Sequence, residues 1–532
     1  MSIDLTILLR IYSRRRRAEL QHLSERSFVS AKQEEILRSL LNRARTTRFG
    51  KDHNFPAIAD SGSDLIKSYQ DQVPLRRYED FWQQYWKTSF PILLDATWPG
   101  RIPYFALSSG TTSGSTKYLP YTQEIIQSTN RAGLDLLIHH LSARPNSRLL
   151  SGKSLVLGGS TDLKILAEGV MAGDMSGIAA ETLPWWAKHY TLPPKEIALL
   201  SNWEEKLSRI AKLALKTNIT SLSGVPSWLL LLFEKLNQTR SIAGNDGRKA
   251  SAKEQANSWS DFFPQLELLI HGGVNFAPYH DQFRELLHGG HAELREVYPA
   301  SEGFIASADR DPGQGLRINL DHDLFYEFIP LDELEQSAPT RHWIENVELG
   351  VNYAIAITSP AGLWSYLLGD TVRFVDLAPH RILVTGRTSQ YLSAFGEHII
   401  PEELELAVAA AARHTQLQVS DFVVGANIPK RSGELGRHCF FVEASPIPIE
   451  SEVAKSFSLR IDQELSRINE DYAAHRAGGF GMGSPEVIFV PPGTFAAWLK
   501  SHGKLGGQHK VPRVILQQGF LNELRAFVMQ RR

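Results

Sequence analysis

The sequence predicts an α/β protein, with a large N-terminal domain of mixed β-sheets and helices over residues 1–387 and a small α+β domain over 388–532. Three observations carry this. At 532 residues the chain exceeds what one hydrophobic core usually organises. Between residues 154 and 273, short apolar runs end in glycine and alternate with amphipathic stretches, the pattern of βα units whose loops gather at one sheet edge. After Ile382-Leu383-Val384-Thr385-Gly386-Arg387 the character changes, which places a boundary near Arg387 to Tyr391.

The first hundred residues read mainly as helix. Residues 4–23 form an amphipathic helix whose arginines, Arg14 to Arg17, make a solvated basic face; attachment to a membrane surface is the competing reading. Gln33 to Arg45 places Ile36, Leu37, Leu40 and Leu41 on one helical face, and Tyr78 to Trp86 is rich in aromatics. Tyr118-Leu119-Pro120 suits a strand, and Gln123 to Ser142 reads as a long helix. A strand at Ser154 to Leu157 ends in Gly158-Gly159-Ser160, which suggests a βα transition.

Residues 203–236 read as helix (Trp203 to Leu215), strand (Ser221 to Val225) and helix (Trp228 to Leu236). Residues 241–259 are polar and unpatterned, so a mobile surface insertion is expected. A strand at Leu266 to Ile270 then runs into His271-Gly272-Gly273. Near Leu363 to Phe374, two apolar strands bracket Gly369-Asp370 at a tip. In the small domain, Pro401 opens a helix, Phe422 to Gly425 and Cys439 to Val442 read as strands, and Ile449 to Ile468 as a long helix.

Composition narrows the function. The 57 Lys plus Arg against 58 Asp plus Glu leave a formal charge of -1, so no global field favours nucleic acid. The single Cys439 excludes an internal disulfide and any thiolate metal cluster, and a reducing cytoplasm is the expected home. The arginine cluster follows the apolar run Ile3 to Tyr12 instead of preceding it, contrary to a secretory leader. No segment approaches the ~20 apolar residues of a membrane span, so no stable membrane insertion is expected.

Chemistry concentrates in four stretches. The run Ser108-Ser109-Gly110-Thr111-Thr112-Ser113-Gly114-Ser115-Thr116-Lys117 alternates hydroxyls with glycines, so backbone N–H and side-chain O–H groups can converge on an anion, with one lysine closing the run. A Walker loop is excluded because Lys117 is followed by Tyr118-Leu119-Pro120 and not by Ser or Thr opening a helix; an ordinary Ser/Thr/Gly surface loop is the plain alternative. In Tyr298-Pro299-Ala300-Ser301-Glu302, Tyr298 could stack on a base or pack in the core. Glu302 could hold Mg²⁺ beside phosphates or form a salt bridge. Asp370 could accept hydrogen bonds from ribose hydroxyls or sit in a plain turn. Finally, Gly506-Gly507-Gln508-His509-Lys510-Val511-Pro512-Arg513 could carry a catalytic lysine on a mobile element or be a solvated basic tail.

These stretches, in this order, resemble the signatures of the adenylate-forming superfamily. The helical N-terminus, Gly224-Val225-Pro226-Ser227-Trp228 and the closing Gln508 to Arg513 are most similar to the auxin-responsive Gretchen Hagen family of acyl acid amido synthetases, in its bacterial branch. The resemblance covers nearly the whole chain. Departures stand at Leu367, where an arginine is common, at Pro299-Ala300, and at Phe395-Gly396-Glu397-His398.

The resemblance implies a two-step, ATP-dependent ligase. A carboxylic acid is converted to an acyl-adenylate with pyrophosphate leaving, and an amine, expected to be an amino acid, then attacks the carbonyl and releases AMP. Ser108, Ser109, Gly110, Thr111, Thr112, Ser113 and Gly114 would cradle phosphates, with Lys117 nearby and Mg²⁺ near Glu302. Gly272, Gly273 and Tyr298 would frame the adenine, Ser301 would also contact the nucleotide, Asp370 would hold the ribose, and Arg387 would reach ribose or phosphate. Lys510 would swing in from a mobile C-terminal domain. The acyl pocket would be lined by Gln123 to Ser142, Met171 to Ile178 and Ser223 to Trp228. A monomer or weak dimer is expected. An acyl-CoA ligase and a non-catalytic nucleotide-binding protein are the alternatives.

Overall fold

The computed structural model describes residues 4–109, 116–158, 163–200, 203–243, 256, 258–273, 276, 279–388, 392, 399–427, 436–448, 451–469, 472–473, 476, 482–501, 512–515 and 518–530. It divides into two compact units: Met1–Val274, Gln282–Leu368 and Val372–Leu383 form the first, and Asn275–Asp281, Gly369–Thr371 and Val384–Arg532 the second.

The first unit opens with helices α1 (Thr6–His22) and α2 (Arg26–Ala44). Ile36, Leu37, Leu40 and Leu41 of α2 are all buried, as their spacing predicts. The buried Gln33 amide donates to the carbonyls of Leu320 and Leu324 at 2.8 and 2.9 Å. Helix α1 corrects the expected solvated arginine face. Arg14 and Arg15 are exposed, but Arg16 is buried, and its guanidinium lies 2.6 Å from Asp135 and 2.6 Å from Asp321. A periodicity argument treats each arginine as solvated; it cannot see two carboxylates brought in from distant segments.

Strands β1 (Tyr104–Ser109) and β2 (Thr116–Tyr121) precede the long helix α3 (Gln123–Ala143), which Thr122 caps by accepting from the Ile125 N–H. Strands β3 (Lys153–Leu157), β4 (Lys164–Ala167) and β5 (Val170–Gly173) follow. The expected helix directly after β3 is replaced by the β4–β5 hairpin, because these strands complete a second sheet of order β2-β1-β5-β4.

The main sheet continues with β6 (Thr191–Leu192), helix α4 (Trp203–Ala214), β7 (Ile219–Gly224), helix α5 (Pro226–Ala243), β8 (Leu268–Gly272), β9 (Glu293–Ala300), β10 (Gly303–Ser307) and β11 (Leu316–Ile318). It ends with β12 (Phe325–Pro330), β13 (His342–Trp343), β14 (Asn352–Ser359), β15 (Leu363–Leu377) and β16 (His380–Arg387). The strand order is β13-β12-β14-β15-β16-β11-β10-β9-β8-β7-β3-β6. The run β6-β3-β7-β8-β9 is parallel, with α4 and α5 as crossovers, while β9-β10-β11-β16 is antiparallel. Leu155, Leu222, Leu269 and Leu294 stand opposite one another across four parallel strands, a row of γ-branched side chains that fixes register.

Two further expectations are corrected. Gly369-Asp370 is not a turn between two strands: β15 is one fifteen-residue strand, in which Gly369 takes φ +83° and Ser365 φ +44°. Buried partners hold Ser365 there: its Oγ donates to Glu327 at 2.7 Å, and Arg341 closes on the same fully buried carboxylate at 2.8 Å. Of the predicted insertion, residues 244–255 and 257 lie outside the described residues, but its end is core. Ser258 caps a short helix there and Trp259 is fully buried.

The second unit contains helix α6 (Pro401–Thr415), with proline in its first turn, and helix α7 (Ser451–Ile468). Its sheet has order β19-β18-β17-β20, from β17 (Gln418–Asn427), β18 (Arg437–Ser445), β19 (Glu486–Val490) and β20 (Val514–Ile515). Phe422, Phe440, Val442, Phe457 and Ile461 form its core. Cys439 is buried, and burial pushes its thiol up to about 12, which removes it from chemistry at neutral pH.

Candidate active site

The parallel half of the main sheet brings four loop starts to one edge. β3 ends before Gly158, β7 ends at Gly224, β8 at Gly272 with Gly273 following, and β9 before the turn Ser301-Glu302. Parallel strands put their carboxyl ends together, and that edge is where open α/β sheets take ligands. Gly272 is required by packing: a Cβ there would lie 2.3 Å from the Val297 carbonyl oxygen of the neighbouring strand. Gly273 takes φ +80°, a backbone conformation that favours glycine. Gly272→Ala is therefore expected to cost about 3 kcal/mol of stability, read as a lowered urea midpoint.

Tyr298 and Glu302 lie at this edge, both half-buried. Tyr298 sits opposite Ala306 of β10 and packs against the main core, so one side of the ring serves packing. Ser301 and Glu302 form the tight connection between the antiparallel β9 and β10, which places Glu302 at a strand end.

The sequence reading missed Glu296, two residues before Tyr298 and therefore on the same sheet face. Burial pushes its carboxyl up to about 7, so it titrates near neutrality. Its neighbour across the ladder, the buried His271, is pushed down to about 3 by burial and stays neutral. Because the folded chain holds the Glu296 proton more tightly than the unfolded chain, this group lowers stability as pH rises from the ordinary carboxyl range through about 7. Glu296→Gln removes that loss: its stability relative to the parent is expected to rise by about 2 kcal/mol between acidic and mildly alkaline pH, discounted for partial exposure. Urea unfolding at several pH values reads it.

The β1–β2 hairpin carries the hydroxyl-rich stretch. Its antiparallel register sets Ser108 opposite Lys117 and Ser109 opposite Thr116. Gly110, Thr111, Thr112, Ser113 and Gly114 lie outside the described residues. The Lys117 ammonium stands 5.5 Å from the centre of the Tyr78 ring, and the Tyr78 hydroxyl accepts from the Tyr118 N–H at 2.9 Å. Burial pushes the Tyr78 phenol up to about 12, so it stays neutral beneath the lysine. Tyr78 was legible only as one ring of an aromatic-rich helix.

In the second unit, Asp370 and Arg387 stand on adjacent strands and form an ion pair at 3.1 Å. The Asp370 side chain is nearly buried, whereas that of Arg387 is 45% exposed. The Thr388 N–H donates to the Gly369 carbonyl at 2.9 Å, and the Thr385 hydroxyl donates to Thr371 at 2.8 Å, so the strand carrying Asp370 is held on both sides of it. Lys510 lies outside the described residues. Arg513, at the end of the same stretch, is anchored and not part of a solvated tail: it lies 2.7 Å from Asp421, 3.1 Å from Glu405 and 4.1 Å from the centre of the Phe422 ring.

Among the described residues, one group of three side chains has metal-ligand spacing, Asp135, Asp321 and His322. Arg16 already occupies both of its carboxylates, so its charge is compensated and it does not suit a cation.

Residues 18–176 and 160–291 match the GH3 family N-terminal domain, 318–387 the GH3 family central domain, and 402–519 the GH3 family C-terminal domain. The jasmonoyl–L-amino acid synthetase JAR4 of Nicotiana attenuata is 24% identical over 91% of this chain and 90% of its own length. The jasmonoyl–L-amino acid synthetase GH3.5 of Oryza sativa subsp. japonica is 33% identical over 41% of this chain and 40% of its length. Among solved structures, the AtGH3.15 acyl acid amido synthetase in complex with 2,4-DB superposes with TM-score 0.75 at 19% identity, covering 94% of each chain. A 2-hydroxyisobutyryl-CoA ligase in its postadenylation state superposes with TM-score 0.58 at 12% identity, over 95% of this chain and 92% of that one. With three consecutive domains of one family matched along its length, the chain belongs to the GH3 family.

Proposed function

We propose that this chain is an AMP-forming acid–amino acid ligase: it adenylates a carboxylic acid with ATP and transfers the acyl group to an amino acid, forming an amide. The observation that carries the proposal is the motif series Ser108 to Lys117, Tyr298 to Glu302, Gly369-Asp370 and Lys510, in order, in a GH3 chain. One relative is named a jasmonoyl–L-amino acid synthetase and another a probable indole-3-acetic acid-amido synthetase, names that support an acid and an amino acid as substrates here. The bacterial branch is proposed on the resemblance carried by the helical N-terminus, Gly224 to Trp228, the compact C-terminal domain and Gln508 to Arg513.

In the first half-reaction the acid's carboxylate oxygen attacks the α-phosphorus and pyrophosphate leaves. Little covalent work falls to the protein, so its contribution is positioning and charge stabilisation. The hydroxyls and backbone amides from Ser108 to Gly114 hold the phosphates, Lys117 and Lys510 offset their charge, Tyr298, Gly272 and Gly273 hold the base, Ser301 contacts the nucleotide, and Asp370 accepts from the ribose hydroxyls. Arg387, paired to Asp370 at 3.1 Å, orients that carboxylate and reaches ribose or phosphate. Mg²⁺, held by Glu302 and water, would neutralise phosphate charge; one carboxylate at a strand end suits a cation that keeps most of its waters. In the second half-reaction the amine nitrogen bonds to the acyl carbon, the acyl–phosphate bond breaks, AMP leaves and the amine gives up a proton.

The same reading takes residues 1–387 as the ATP- and acid-binding domain and 388–532 as the small mobile domain, in a cytoplasmic monomer or weak dimer. Pyrophosphate release from ATP and Mg²⁺ over a panel of carboxylic acids tests the proposal. Release that needs an acid and speeds up with amino acids is expected. Release that ignores amino acids but responds to CoA would instead identify a thioester ligase, and no release with any acid would identify a nucleotide-binding protein.

A further inference from the structure

We infer that the outer face of helix α1 is a docking surface for an anionic lipid membrane. The inner face is fixed to the body of the protein. Leu9, Ser13, Arg16 and Leu20 are buried, the Arg10 guanidinium donates to the Ser147 carbonyl at 2.7 Å, and the Leu150 N–H donates to Thr6 at 2.9 Å. With that face occupied, the opposite one turns four large apolar side chains to solvent: Ile7 at 61%, Leu8 at 62%, Ile11 at 62% and Tyr12 at 47% exposure. They fall at i, i+1, i+4 and i+5, so they form one continuous ridge over two turns.

The charges around the ridge favour one occupant. Arg14 and Arg15 are exposed one turn further on, and Arg148 is exposed beside the helix start. Three carboxylates reach this rim: Glu19 at 3.2 Å from Arg15, Asp4 at 3.3 Å from the Arg148 guanidinium, and Glu267, which accepts from the Arg148 N–H at 3.0 Å; against them stand Arg14, Arg15, Arg148 and the half-buried Arg17, so the balance stays positive. An apolar ridge with an arginine rim fits a bilayer surface carrying negative headgroups, into which such a face sinks by about 5–10 Å. A second copy of the chain fits worse. Face-to-face pairing would set the same arginines against each other, and four side chains cover far less than the roughly 800 Å² per partner of a stable interface. Attachment would be peripheral: no described helix is long and apolar enough to cross a membrane.

The test is co-sedimentation of the full chain with phosphatidylcholine vesicles, with and without about 30% phosphatidylglycerol, at low and high salt. Binding is expected only to the anionic vesicles, weakened about tenfold or more by high salt, by Ile7→Ser/Ile11→Ser and by Arg14→Glu/Arg15→Glu. Both double variants change exposed side chains, so an unchanged melting temperature separates lost binding from lost folding. No binding to anionic vesicles, or equal binding by parent and variants, overturns the proposal. So does a dimer in analytical ultracentrifugation that Ile7→Ser/Ile11→Ser dissociates, which would assign the ridge to a second copy.

Discussion

With Asp370 in its proposed place at the ribose, replacing it by Asn is expected to lower acid-dependent pyrophosphate release by about a hundredfold or more, while the chain stays folded. The expected size follows from placement. Asp370 follows Gly369 at φ +83° in a strand tied to its neighbours on either side, and its carboxylate is aligned by Arg387 at 3.1 Å. Asn keeps the shape but loses the charge that Arg387 orients and the paired acceptors that two ribose hydroxyls need. The fold is spared because Arg387 is 45% exposed and regains water. The effect should divide between kcat and the KM for ATP, with the KM for the acid little changed. A variant whose ATP kinetics match the parent removes Asp370 from the nucleotide site.

Arg16→Met should have the largest effect on stability, a loss of about 3–5 kcal/mol in urea unfolding. The substitution keeps the length of the side chain and leaves the buried Asp135 and the nearly buried Asp321 without their cation. His322, 2.8 Å from Asp135, is the remaining partner. Burial by itself would raise the Asp135 carboxyl, but hydrogen bonds from Arg16 and His322 outweigh it and hold the group well below the usual carboxylate range. The stabilisation is thus fully present above the unfolded carboxyl pKa and is lost as pH falls through the depressed folded value. The parent should lose stability at strongly acidic pH, and Arg16→Met should lose less over the same range. Arg16→Met/Asp135→Asn should recover part of the loss, because it removes one stranded charge; no recovery would mean that the arginine acts through packing alone.

Much of the scaffold could be read from local pattern. The apolar spacing in α2 and α3, the glycine-ended strands β3, β7 and β8, and the proline opening α6 each state a physical requirement within a few residues. What resisted reading depends on partners far away in sequence. Arg16 looks solvated until Asp135 and Asp321 arrive, and Gly369-Asp370 looks like a turn until Ser365, Glu327 and Arg341 hold β15 as one strand through two positive φ values. Tyr78 beneath Lys117 and the buried carboxyl of Glu296 were invisible for the same reason: neither their burial nor their neighbours is encoded in their own segment.

The most direct test of the central claim is product identity. The full chain is incubated with ATP, Mg²⁺, an acid that supports pyrophosphate release and a mixture of amino acids, and the products are resolved by mass spectrometry. The proposed chemistry predicts AMP, pyrophosphate and an N-acyl amino acid in equal amounts, with the acyl-adenylate accumulating when amino acids are left out. A thioester formed only with CoA, or ATP turnover that leaves the acid unconjugated, would contradict it.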